Sequence, residues 1–305
     1  MNILNAARRA MRLPREKYGS FRARTRWRTV ARDQPHIMTL RAIDDVRPCF
    51  ERMKELARYE AKYRVADATE FYVRGYCASC GGERLVVTVR DGEEAPAWRE
   101  TAICRCGMNT RMRAVLDWLL HIENTPADAR IYCTEATTGF FKALSRLWRG
   151  TVGSEFIPHS VPFGTVAPSG IRCEDLERLS FADESFDYIV SLDVLEHVFS
   201  YEAALQEMLR ILKPGGVAIL TVPFKWDQSK TVRRAELDGR TVRHLLPPIY
   251  HGDPVNKNGV LLVFDYGWDL LDYMRGLGWR DVGFVHFWSE SRKYFGRNFL
   301  LRAVK

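Results

Sequence analysis

From residue 129 onward the chain alternates short apolar runs with amphipathic stretches. Apolar runs at 130–134, 151–155, 170–173, 186–192 and 217–222 predict strands. Apolar residues at helical spacing predict helices over 139–148, 201–212 and 267–276, with two late strands at 280–287 and 299–304. Strands that are apolar almost throughout, alternating with helices, imply a mostly parallel sheet covered on both faces. Ligands of such sheets bind beyond the carboxyl ends of the strands. The N-terminal part is less regular. Residues 42–64 read as a helix broken or started near Pro48, and 110–123 as a strong amphipathic helix. Residues 70–108 are rich in Cys and Gly, with one short β run at 85–90. Leu4, Ala7 and Met11 have helical spacing, and Phe21, Ala23, Thr25 and Trp27 alternate with arginines as in a strand. No internal repeat is seen.

The charge changes how the first segment reads. The 305 residues carry a net charge of +8. Residues 1–34 hold ten Lys/Arg and two Asp/Glu, while the remaining 36 basic and 36 acidic side chains cancel. The basicity belongs to a leader, residues 1–40, expected to be loosely ordered, with a membrane surface or a polyanion as the sharper alternative. A nucleic-acid-binding function read from global charge is weakened accordingly. No apolar run approaches the ~20 residues of a membrane span. MNILNAARRAMRLPREK lacks a secretory h-region, so a cytoplasmic location with reduced thiols is expected.

Four of the seven cysteines are clustered. Cys77-Ala-Ser-Cys80 and Cys104-Arg-Cys106 are two tight pairs flanked by glycines. Paired knuckles supply two thiolates each to a tetrahedral four-cysteine zinc site. Four separate buried or redox thiols remain the alternative, since the second pair is CxC. Four sulfur ligands leave no open position, so such a zinc is structural. Cys49, Cys133 and Cys173 lie outside the cluster, the last two at strand ends, and read as buried apolar thiols.

Each predicted strand end carries a polar signal. The first ends at Glu135 and runs through Ala-Thr-Thr-Gly139 into a helix. The second ends at Glu155, the spacing at which an acid meets ribose hydroxyls in a βαβ unit. The fourth, FDYIVSLDVLEHV, ends at Asp193 with Glu196 and His197 just beyond, and LRILKPGGVAILTVP follows. The acid-rich turn, SFD, EHV and LKPGG in this order resemble class I S-adenosylmethionine-dependent methyltransferases of the type 11 kind. The resemblance covers about residues 129–305. It implies an α/β, Rossmann-like, doubly wound seven-stranded sheet with one antiparallel edge strand. It also implies S-adenosylmethionine as cofactor. Glu135, Thr138 and Gly139 match the loop at the methionine end, and Glu155 the acid facing the ribose. Asp175 and Leu176 match the adenine contacts, and Asp193 the floor beneath the sulfonium. One departure stands out: Thr137 and Phe141 occupy positions where the family usually has glycine. A reading as a Rossmann-like domain that binds another nucleotide, or none, is the alternative.

The substrate side is read from three places. Knuckle–Gly107-Met108-Asn109-Thr110-Arg111-Met112-Arg113 resembles a bacterial subgroup of these enzymes with an N-terminal zinc module, and Arg111 or Arg113 is expected to point into the substrate cleft. The insertion 224–266, with Tyr250, His251 and Asp253, reads as a substrate-side element. His197 and His251 are the candidate bases for an acceptor proton, with structural histidines as the alternative. No Asn/Asp-Pro-Pro-Tyr/Phe segment follows strand four, which favours a hydroxyl of a sugar, glycan or small metabolite over a base amino group. The expected organisation is a leader at 1–40, a helical, four-cysteine zinc module at 41–110 and a methyltransferase domain at 111–305. An RNA methyltransferase using the basic leader, and a non-catalytic methyltransferase-like domain, are the competing functions.

Overall fold

The computed structural model describes residues 35–305 apart from 91, 94, 158–160, 240, 253–255 and 257. Residues 1–34 of the leader and Asp253 lie outside the described residues. In chain order the elements are β1 (His36–Leu40), α1 (Val46–Glu60), β2 (Glu70–Arg74), β3 (Arg84–Thr88), α2 (Trp98–Thr101), β4 (Ala102–Cys104) and α3 (Thr110–His121). They continue with β5 (Ile131–Cys133), α4 (Gly139–Leu147), β6 (Val152–Gly153), β7 (Phe186–Leu192), α5 (Tyr201–Ile211) and β8 (Leu212–Thr221). Six short strands follow: β9 (Val232–Arg233), β10 (Ala235–Asp238), β11 (Thr241–His244), β12 (Tyr250–His251), β13 (Val260–Leu261) and β14 (Phe264–Asp265). The chain ends with α6 (Asp269–Gly276), β15 (Arg280–Trp288) and β16 (Phe299–Val304).

The chain forms two compact units. The first combines residues 47–125 with Val285–Phe299 and the described residues before 40. The boundary expected at residue 110 falls inside this unit, which keeps α3 and takes back a C-terminal segment. Its β2-β3-β4 sheet is antiparallel, with Phe71 opposite Val87 and Leu85 opposite Cys104. Trp98 packs edge-on to Phe71 and Phe295, and Trp118 to Phe287. Pro48 sits in the first turn of α1, where a missing N–H costs nothing. Asn109 caps α3 by accepting from the Met112 N–H at 3.0 Å.

Arg113 is buried in this unit, and the expectation that it could reach a substrate cleft is corrected. Its guanidinium donates to the Tyr76 and Arg292 carbonyls at 3.1 and 3.0 Å and to Thr110 Oγ1 at 3.2 Å. It lies over the Tyr294 ring. A guanidinium whose terminal N–H groups go to backbone carbonyls and a hydroxyl is a strut that ties α3 to two distant loops.

Asp117, also on α3, pairs with Arg292 at 3.0 Å. Burial outweighs that pairing and pushes its carboxyl up to about 6. A carboxyl raised on folding binds its proton more tightly in the native state, so its stabilising effect is present at low pH and lost as pH rises. Relative to Asp117→Asn, the wild type should lose roughly 3 kcal/mol between pH ~4 and ~6. Urea unfolding across that range reads it, and parallel curves for the two proteins would refute it.

The second unit contains Leu40–Val46, Pro126–Phe284 and Leu300–Lys305. Its main sheet has the order β15-β16-β8-β7-β5-β6, with Arg280–Phe284 of β15 in this unit. β6, β5, β7 and β8 run parallel, and β16 is antiparallel to β8. This is a Rossmann-like doubly wound sheet, with one correction to the expectation: the antiparallel strand is interior, paired on both sides. The strand expected at 170–173 is reduced to a parallel bridge of Cys173 to Glu155. The chain turns back there through Val166 and Arg172, with Gly170 at a positive φ of 80°, so only a short stretch can reach the sheet. β7 begins and ends where the apolar run does, because Ile189 and Val190 are fully buried at the sheet centre. Cys133 and Cys173 are fully buried as expected, and burial holds the Cys133 thiol well above its usual range. Among the described residues no helix is long and apolar enough to cross a membrane.

Candidate functional site

In the second unit, β5 has β6 on one side and β7 on the other, so the crossovers leave it in opposite directions. That reversal opens a crevice beyond the carboxyl ends of these strands. Glu135, Thr137 and Thr138 follow β5, Glu155 follows β6, Asp175 follows the Cys173 bridge, and Asp193 follows β7. Four of the sequence-selected carboxylates therefore stand at neighbouring strand ends.

Glu155 is tied to the first loop. Its Oε1 accepts from the Ala136 and Thr137 N–H groups at 2.8 and 3.0 Å and from Thr137 Oγ1 at 2.9 Å. Thr137, which replaces a glycine of the resembled motif, thus adds a side-chain bond that braces the loop. Thr138 caps α4 by accepting from the Phe141 N–H at 3.1 Å, and Gly139 opens that helix. Phe141, the other non-glycine position, is accommodated elsewhere. A Cβ at Gly153 would strike the Phe141 ring and stand 2.6 Å from the Glu135 carbonyl. The glycine that makes room here is on β6.

Asp175 accepts from the Glu177 N–H at 3.0 Å, an Asx turn that holds its carboxylate, and Leu176 is buried beside it. Phe156, next to Glu155, is 61% exposed and stacks on Phe163. It offers an apolar face at the same strand end. Nothing in the sequence marks it, because one aromatic carries no periodic signal.

Asp193 sits at a φ of +53°, an unusual conformation for a residue with a side chain. Two bonds stabilise it: its N–H donates to Thr221 Oγ1 at 3.0 Å, and that hydroxyl donates to Asp193 Oδ1 at 2.7 Å. The turn leads into Leu195–His197. There Glu196 is fully buried, and burial, with the Asp193 charge adding to it, pushes its carboxyl up to about 7.

The 224–266 insertion supplies the other wall. Val263 N–H donates to the Glu196 carbonyl at 2.8 Å, and Tyr266 OH to the Leu195 carbonyl at 2.6 Å. His197 Nδ1 lies 2.8 Å from the Leu261 carbonyl. A carbonyl only accepts, so Nδ1 carries the proton and Nε2 holds the lone pair. The β12–β13 register sets Tyr250 opposite Leu261 and His251 opposite Val260. The same hairpin that anchors His197 therefore presents His251, whose ring lies 5.1 Å from it. Gly259 permits this: a Cβ there would strike the His251 carbonyl. Glu196 raises the proton affinity of His251. Tyr250 is 57% exposed. In the sequence Glu196 stands out only as part of EHV, since burial of a carboxylate has no signature in a single chain.

In the first unit the four clustered cysteines converge. Their sulfurs all lie within 4.8 Å of one another, with Cys77–Cys106 at 3.7 Å and Cys80–Cys104 at 3.5 Å. Four sulfurs about 2.3 Å from a tetrahedral zinc stand about 3.8 Å apart, so the cage fits that ion. Gly81 and Gly107, at φ of +63° and +87°, make the two knuckle turns. The thiols cannot all ionise alone. Hydrogen bonds from Cys104 and Cys106 lower Cys80 and Cys104 respectively, while Cys77 and Cys106 are driven up by Cys104. A cation would remove that conflict. Arg111 belongs to this unit, where its Nε reaches Glu100 at 3.3 Å, on the carboxylate that also accepts from Asn109.

Residues 137–220 match the family model of a methyltransferase domain. An uncharacterized methyltransferase of Mycobacterium sp. (strain KMS) is 35% identical over 107 residues, which is 34% of this chain and 42% of that protein. A second, from strain JLS, is 34% identical over the same shares. The chain spans less than half the length of the curated relatives it matches. Among solved structures, a S-adenosylmethionine-dependent methyltransferase from Mesorhizobium loti is 17% identical with a TM-score of 0.39, covering 62% of this chain and 97% of that one. A Burkholderia thailandensis 1,6-didemethyltoxoflavin-N1-methyltransferase, with S-adenosylhomocysteine bound, is 15% identical with a TM-score of 0.35 over 64% and 78%.

Proposed function

We propose that this chain, which carries a methyltransferase domain over residues 137–220, transfers the methyl group of S-adenosylmethionine to a hydroxyl of a sugar, glycan or small metabolite. The observation that carries the reading is the set of carboxylates at adjacent strand ends around the crossover reversal, with two histidines on the wall beyond β7. The residues fit the cofactor. Adenosine offers hydroxyl and amino donors, and ionised carboxylates only accept. Glu155 Oε1 is occupied by the loop, which leaves Oε2 for the ribose. Asp175 and Leu176 would meet the adenine, Phe156 would cover its face, and Glu135, Thr138 and Gly139 would border the methionine end. Asp193, pinned by Thr221, would lie beneath the sulfonium.

The cofactor supplies an activated methyl when bound. The chain's own part is to align the acceptor with it, exclude water and accept the acceptor's proton. The Nε2 lone pair of His197 and the Glu196–His251 pair are the groups placed for the last task, with Tyr250 as an acceptor contact. In the first unit Cys77, Cys80, Cys104 and Cys106 would hold a structural zinc.

Calorimetry with S-adenosylhomocysteine tests the cofactor half, and methyl transfer to a panel of hydroxyl acceptors the other. Glu155→Gln should weaken S-adenosylhomocysteine binding about tenfold to a hundredfold, the worth of a hydrogen bond to a charged group. Binding unchanged in that variant would remove Glu155 from the ribose; no binding by the wild type would remove the reading.

A further inference from the structure

Glu196 is 0% exposed, and neither carboxylate oxygen has a hydrogen-bond partner. Taking a carboxylate out of water with no donor to meet it costs several kcal/mol, at order of magnitude. The groups that face it are imidazoles. Oε1 stands 3.6 Å from His197 Nε2 and 3.7 Å from His251 Nδ1. Both separations exceed the ~3.2 Å limit of an ordinary N–H···O bond. They are close to the ~3.0–3.4 Å expected between two ligands that each lie ~2.1 Å from one cation at near-tetrahedral or right angles. One nitrogen from each ring and one carboxylate oxygen lie within 4.8 Å of one another.

We infer that Glu196, His197 and His251 form a binding site for a divalent cation with mixed nitrogen and oxygen ligands, of the manganese, iron(II) or zinc class. The surroundings suit this. The Leu261 carbonyl holds the Nδ1 proton of His197 and so aims the Nε2 lone pair inward, the outer bond that orients metal-ligating imidazoles. The β12–β13 hairpin carries both that carbonyl and His251, so one element sets the separation of the two rings. Three protein ligands leave coordination positions open, as at sites where a small oxygen ligand joins the metal. An acceptor hydroxyl is such a ligand. That use of the cation rests on the methyl-transfer reading. With the cation bound, the metal-held hydroxyl would give its proton to water, not to His197 Nε2, since a ligating lone pair takes none. Binding of the cation does not rest on that reading.

Manganese(II) is the probe, because a hard ion avoids the four-thiolate cage of the first unit. Electron paramagnetic resonance titration of the full chain should show one bound Mn(II) per chain. His251→Ala and Glu196→Gln should each weaken it at least tenfold, with S-adenosylhomocysteine affinity within threefold of wild type as the sign that the unit is folded. No bound Mn(II) at millimolar metal, or binding unchanged in both folded variants, overturns the inference. A wild type that binds Mn(II) without S-adenosylhomocysteine keeps the cation site and removes the methyl-transfer reading instead.

Discussion

Cys80→Ser and Cys104→Ser are expected to strip the first unit of its metal and unfold it. Structural zinc in small Cys-rich modules binds with an apparent ~10–16 kcal/mol, as large as the whole ~5–15 kcal/mol that holds a domain together. The reason is visible in the local structure. Cys104 ends β4 and Cys77 follows β2, the two strands that flank β3. A shared ion would clamp both edges of a sheet whose strands are only three to five residues long. Without it, four crowded sulfurs stand at the edges of this short sheet. Elemental analysis should show that the wild type carries one more zinc per chain than either serine variant. In either serine variant, and in chelated wild type, hydrogen exchange should lose protection at 84–88 and 102–104. Metal-free wild type with full protection there would defeat the proposal.

The second large effect concerns His197. His197→Ala should lower kcat by about 10²–10⁴, the usual contribution of a positioned acid–base group, with S-adenosylhomocysteine affinity unchanged. The loss should fall on kcat because the ring neighbours Glu196, His251 and the Leu261 carbonyl, groups assigned to the acceptor side rather than to the cofactor. His197→Gln retains a polar group without the imidazole nitrogen pair and should not restore the rate. A kcat within threefold of wild type in the alanine variant would make His197 structural.

Local pattern determined much of this protein. The run from Phe186 to Leu192 and the final strand Phe299–Val304 begin and end in the structure where the apolar periodicity places them, because a buried strand needs an unbroken apolar run. Helices α3, α4 and α5 start at Asn109, Thr138 and Ser200, whose side chains accept from the first helical turn. Knuckle spacing by itself pairs the cysteines, since one or two residues between them already confine each pair to a tight turn.

Tertiary structure decided the rest. Arg111 and Arg113 are two residues apart and look alike in sequence. A helix turns ~200° over that interval, so one faces Glu100 near the surface and the other is driven among buried carbonyls. Phe141 reads as a damaged glycine motif in sequence, yet Gly153, on the neighbouring strand, provides its space. His197 and His251 are separated by more than fifty residues, and Glu196 is one acid among many in the sequence. Only the β12–β13 register and the docking of that hairpin on Leu195–His197 join them and bury the carboxylate. Secondary structure follows from neighbours along the chain, which a sequence displays. A site of paired histidines around a buried acid depends on which strand lies against which turn, and that is set by packing over long separations.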